Sequence, residues 1–131
     1  MGYGRTVLLY EPVTEVIPKV KEALKAQGFG VLTEIDVQAT LREKIGAEVA
    51  PYVILGACNP RLAHRALELE PEVGLLLPCN VVVREHEGRT LVSALDPGVI
   101  AELADHPGLE PIAEEATRLL DAALEALVAF A

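Results

Sequence analysis

Two cysteines and two asparagines occur in this chain, and each asparagine directly follows a cysteine, in Cys58-Asn59-Pro60 and Pro78-Cys79-Asn80. A thiol is the most nucleophilic side chain that a protein of this composition offers. At Cys58 its setting is concrete. Asn59 is suited to cap a helix whose first residue is Pro60, so Cys58 lies beside free backbone N–H groups and the positive end of a helix dipole, a field that favours thiolate. Arg61, His64 and Arg65 follow in the first turns of that helix. Cations there oppose the dipole, and Arg61 with Arg65 is a like-charge i,i+4 pair. A bound anion relieves both penalties, and helix N-termini accept phosphate or carboxylate. The residues Cys58, Asn59, Arg61, His64, Arg65, Cys79 and Asn80 therefore form one candidate site for a small anionic ligand.

The same thiols support a second chemistry, a redox or metal-handling protein using Cys58 with Cys79. A metal needs a third ligand, and His64 is the nearest histidine in sequence to Cys58; His86 and His106 stand at no recognised ligand spacing. A reversible Cys58–Cys79 disulfide needs Cα atoms within about 7 Å. Against both readings stands a structural one. Free cysteine commonly fills core space, Asn59 serves as a cap, and Arg61, His64, Arg65 and Glu68 fall opposite the Leu62/Ala66 stripe, as an ordinary solvated face with a His64–Glu68 contact. No reaction type follows from these residues alone. The cofactor is left unknown; Gly28-Phe29-Gly30 is not a dinucleotide fingerprint, because it ends a helix and enters a strand, with Thr33 where the third glycine would stand.

The elements that must position these residues are legible in outline. Thr6–Tyr10 reads as a buried strand and Val13–Gln27 as a helix closed by Gly28. Phe29–Val37 alternates as a strand, and Asp36 caps a short helix carrying Leu41 and Ile45 that stops at Gly46. Pro51 opens a strand through Leu55, and Asn59-Pro60 starts the third helix. Gly74–Glu85 reads as a long strand with Pro78 in its middle, joined through a turn at Glu87-Gly88 to a strand over Thr90–Ala94. Asp96-Pro97-Gly98 is a turn or helix start. Leu109–Ala131 is the longest helix, with Ile112, Ala116, Leu119, Leu120, Ala123, Leu127 and Phe130 on one stripe. Leu124 and Val128 widen that stripe beyond one sheet face, which predicts a homodimer contact at a sheet edge or at this helix. The expected fold is a single α+β domain over residues 1–131. It is a two-layer sandwich with a five-stranded mixed sheet, helices mainly on one face, in the order β-α-β-α-β-α-β-β-α.

Composition narrows the function. With 131 residues and 51% hydrophobic content the chain can bury a core unaided. Its 11 basic residues face 20 acidic ones, a net charge of −9, which disfavours nucleic acid and anionic membrane surfaces as partners. The longest apolar stretch, 73–83, is too short to span a bilayer. With no signal peptide in view, the cysteines are expected to be reduced thiols of a cytoplasmic protein. Few amides and many Glu, Arg and Pro residues give a mild thermophile flavour.

The strings Tyr52-Val-Ile-Leu-Gly-Ala-Cys58-Asn-Pro60, Glu70-Pro71, Gly74-Leu-Leu-Leu-Pro78-Cys-Asn-Val-Val-Val83 and Asp96-Pro97 resemble the bacterial and archaeal family known as domain of unknown function 302. The resemblance runs from about Val7 to Val128. It implies a two-layer α/β fold with a tendency to dimerise and assigns no activity and no catalytic residue.

Overall fold

The computed structural model describes residues 2–129. Five strands, β1 (Gly4–Leu9), β2 (Gly30–Asp36), β3 (Tyr52–Cys58), β4 (Cys79–His86) and β5 (Arg89–Leu95), make one sheet in the order β1-β5-β4-β3-β2. Helices α1 (Val13–Ala26) and α5 (Glu110–Val128) cover one face; α2 (Val37–Ile45), α3 (Pro60–Leu69) and α4 (Pro97–Ala104) sit around the strand ends and the far part of α5. The α+β architecture is the expected one, with α4 added between β5 and the last helix.

Every strand pair is antiparallel, so the sheet is not mixed. A parallel neighbour requires a helix that crosses back over the sheet face. Here α2 has no buried residue and α3 packs chiefly on helical neighbours, so β3 and β4 each return beside the preceding strand in the opposite direction.

Local sequence chemistry fixes most boundaries. Asp36 accepts the Ala39 N–H at 2.9 Å, and Gly46 ends α2 in the left-handed region at φ 67. Gly28, at φ 86, closes α1. Glu87 and Gly88 both take positive φ, the two-residue turn whose twist matches a hairpin, so β4 and β5 pair out to His86–Arg89. Asp96 accepts the Gly98 N–H and opens α4.

The long strand expected over 74–85 is shorter. Pro71–Leu76 coils into a 3-10 turn, and β4 starts at Cys79, directly after Pro78. Proline donates no ladder hydrogen bond, so it stands outside the strand rather than within it. In β2 a bulge between Val31 and Thr33 breaks the simple alternation.

Two apolar clusters share α5. The larger joins Leu55, Val81, Val83 and Val92 of the sheet to Val16, Val20, Leu120 and Leu124. The smaller joins Leu62, Ala66, Val73, Ala101, Leu109, Ile112 and Ala116, with Leu119 packed against both. The wide stripe of the last helix thus serves two cores, which accounts for the breadth that the sequence reading attributed to a subunit contact. Phe130 lies outside the described residues.

Candidate functional site

The β3–β4 ladder sets the site. Ala57 is paired with Cys79 and Gly56 with Asn80. Cys58, the last residue of β3, therefore lies at the same sheet end as Cys79, the first residue of β4. Both Cys-Asn pairs thus lie at one end of the sheet.

Asn59 caps α3: its Oδ1 accepts the Leu62 N–H at 3.3 Å, while its Nδ2 donates to the Gln27 carbonyl at 3.5 Å and ties the helix start to the end of α1. The inward face of α3 carries Leu62 and Ala66.

A cavity of about 340 Å³ opens at this corner. Ala57, Cys58 and Cys79 line it from the sheet, and α3, α4 and α5 wall it with Leu62, Ala63 and Ala66, Ile100 and Ala101, and Ile112, Ala113 and Ala116. Of the ten residues that α3, α4 and α5 contribute to the lining, five are alanines. Longer aliphatics at such inward positions would interdigitate and fill the space; alanines leave it open. The volume is roughly twice the ~150 Å³ that accommodates benzene. Leu32, 68% exposed, and Leu67 stand at its lining too, so apolar surface continues toward solvent. A larger open groove along α4 and α5 is lined by Glu102, Asp105, His106, Glu110 and Glu114 and has neither thiol.

Both cysteines are free thiols, and they differ. Burial pushes the Cys79 thiol up to about 11, with a smaller contribution from neighbouring Cys58. Cys79 is thus a protonated thiol at neutral pH. Cys58 is half-buried, where solutes can reach it.

The other candidate residues are not brought into the cavity. Arg61, His64 and Arg65 occupy the side of α3 away from Leu62 and Ala66; Arg65 bonds Glu115 at 3.0 Å, and His64 lies 3.7 Å from Glu68. Asn80 is exposed on the opposite face of the sheet from Cys79. Among the described residues no three His, Cys, Asp or Glu side chains come together to hold a metal, so His64 does not join Cys58 and Cys79. His106 is engaged locally, its Nδ1 accepting the Gly108 N–H at 3.1 Å.

The sequence reading missed the alanine walls and the whole contribution of α4. The signal available was alanine recurring at inward positions of three separate helices, at Ala63/Ala66, Ala101 and Ala113/Ala116.

The family described as domain of unknown function DUF302 matches residues 5–127. The chain belongs to the DUF302 family. It is also similar to a solved structure, described as an uncharacterized conserved protein DUF302 from Bacillus stearothermophilus, with 34% identity and a TM-score of 0.89 over 95% of this chain and 98% of that one. No curated protein matches. No helix of the described residues is long and apolar enough to cross a membrane.

Proposed function

We propose that this DUF302 chain is a single-domain, homodimeric binding module of the cytoplasm that takes a small, largely apolar molecule into the cavity beside Cys58. The observation that carries this reading is the alanine-walled space of about 340 Å³ with a half-buried thiol in its lining. Mostly apolar pockets with few polar groups are the usual form of small-molecule sites. A polar or anionic head group on the ligand would stay at the mouth, near Cys58 and Asn59. A ligand held by charge alone on Arg61, His64 and Arg65 has less support, since Arg65 is paired with Glu115 and Asn59 already satisfies the Leu62 N–H.

The test is fluorescence titration with 1-anilinonaphthalene-8-sulfonate, an apolar body with an anionic head. Native protein binds one probe per chain saturably, and Ala116→Leu, which fills the space, weakens binding by at least tenfold while the fold is retained. Equal affinity in the filled variant sinks the cavity reading. If Arg61→Ala alone abolishes binding, the charge-held anion is the better account.

A thiol-dependent activity is the second reading, favoured by the presence of both cysteines in the lining of one cavity. It requires Cys58→Ala to remove an activity or a metal content that Cys79→Ala also impairs. Unchanged metal analysis and unchanged probe affinity in both variants leave the thiols as packing.

A further inference from the structure

The lining of the cavity beside Cys58 follows one end of the sheet from strand to strand. It takes in Leu32 of β2, Ala57 and Cys58 of β3, Cys79 of β4, and Pro97, which opens α4 two residues after β5 ends. Four neighbouring strands at about 4.8 Å spacing make that run roughly 14 Å long. A volume of about 340 Å³ spread over it leaves a mean cross-section of roughly 24 Å², close to that of a single hydrocarbon chain. The two ends differ. Towards α4 the lining residues Ala101, Leu109 and Ile112 are buried, so the channel is closed there. At β2 it ends on Leu32, which is 68% exposed.

The interior offers nothing to a polar group. In a chain with 24% charged residues, no charged residue lines this channel among the described residues. Its polar side chains are the two thiols and Asn59, and the Asn59 amide is already engaged, accepting from Leu62 and donating to Gln27. A ligand carboxylate, phosphate or amide would leave its water partners on entry, and no wall residue replaces them.

We infer that the ligand is an unbranched hydrocarbon chain of about ten to twelve carbons, its tail towards α4 and its polar terminus at Leu32. The inference rests on the cavity reading proposed above and deepens it by naming the shape of apolar molecule the site takes. The volume agrees with the length. If ~150 Å³ holds the six carbons of benzene, about 340 Å³ holds about a dozen, and a dozen carbons in extended form are as long as the channel. Alanines on three helices suit such an occupant, because they keep a narrow space open along its whole course instead of one wide chamber.

Calorimetric titration of the full chain with straight-chain 1-alkanols tests this. One molecule binds per chain. From hexanol to decanol each added methylene strengthens binding about threefold to fourfold, and the gain ends near dodecanol. 1-Adamantanol, with the same carbon count as 1-decanol in a compact cage, binds at least tenfold more weakly than 1-decanol. Leu32→Ser, at an exposed position, leaves hexanol affinity unchanged and lowers dodecanol affinity at least threefold. If no alkanol, no adamantanol and no 1-anilinonaphthalene-8-sulfonate binds, the cavity reading and the chain fall together. If 1-adamantanol or the sulfonate binds while alkanol affinity stops rising at hexanol, the chain is overturned and the cavity reading stands. Equal dodecanol affinity in Leu32→Ser overturns the threading past β2.

Discussion

Ala57 of β3 lies directly across from Cys79 of β4, and this one pairing brings Cys58, the next residue along β3, to the same cavity as Cys79. Two thiols share a site yet differ in burial. The consequences are measurable.

Iodoacetamide at pH 8 modifies one thiol of the native chain, within Cys58. Cys79, with its thiol at about 11, has on the order of one part in a thousand as thiolate at that pH, and burial restricts access further. Peptide mapping is expected to show Cys79 labelled at least a hundredfold more slowly, and rapidly only after unfolding. Equal labelling of both peptides would remove the asymmetry on which the site rests.

Stability against urea should respond to the same burial at alkaline pH. The folded state holds the Cys79 proton more tightly than the unfolded chain, whose thiol titrates near the ordinary 9.0. The contribution is therefore complete below pH 9 and is lost as the pH rises toward about 11. A shift of this size corresponds to about 2–3 kcal/mol. Cys79→Ala costs about 1–2 kcal/mol at neutral pH and lacks this alkaline loss. Parallel stability curves for the two proteins over pH 8–11 would refute the assignment.

Gly56 of β3 has no room for a side chain. A Cβ there would stand 2.2 Å from Thr33 Oγ1 and 3.0 Å from Pro78 Cγ. Gly56→Ala is expected to cost about 1–3 kcal/mol. Thr33→Ala in the same chain should recover more than half of that loss, because it removes the nearer clash. Thermal denaturation of the four proteins of the cycle decides the matter; strict additivity of the two changes would sink it.

Arg5 ties the edge strand to the last helix. Its guanidinium is bidentate on Asp121, with Nη2 donating to Oδ2 at 2.6 Å, and lies 3.7 Å from Asp96, the cap of α4. The Asp121 hydrogen bonds raise the Arg5 pKa. Both partners are about one-third exposed, so the pair is worth about 1 kcal/mol and is weakened by salt. Arg5→Ala, Asp121→Ala and the double variant should each lose about that amount at low salt. A double variant that loses the sum of both singles would show that the two residues act separately.

The parts of the fold that were legible in the sequence share a physical trait: their chemistry is complete within a few residues. Asp36, Asn59 and Asp96 cap the helices that follow them, Gly28 and Gly46 end helices in the left-handed region, and Glu87-Gly88 turns a hairpin. Strand direction is not local. It depends on where α2 and α3 come to rest, which no residue between Val37 and Leu69 specifies by itself, and so the sheet was expected to be mixed. The site divided along the same line. Cys58 and Asn59 were found from a cap, whereas Arg61, His64 and Arg65 were adjacent only in sequence, and the alanines that shape the cavity are distributed over three helices. Periodicity marks an alanine as inward; only assembly shows that nothing fills the space beyond it.

The strand order β1-β5-β4-β3-β2 has a bearing on how the molecule assembles. Strands β2 to β5 are neighbours in space in the order in which they occur in the chain, a meander that can grow one strand at a time. The first strand cannot join it. β1 pairs with β5, so its ladder waits until the chain has been made as far as Leu95, and loop closure must bring Leu8 to Leu91 before its hydrogen bonds form. Until then β5 presents a bare strand edge, the kind of surface on which chains aggregate. Arg5, which fastens β1 to α5, therefore secures the last seam of the sheet to close.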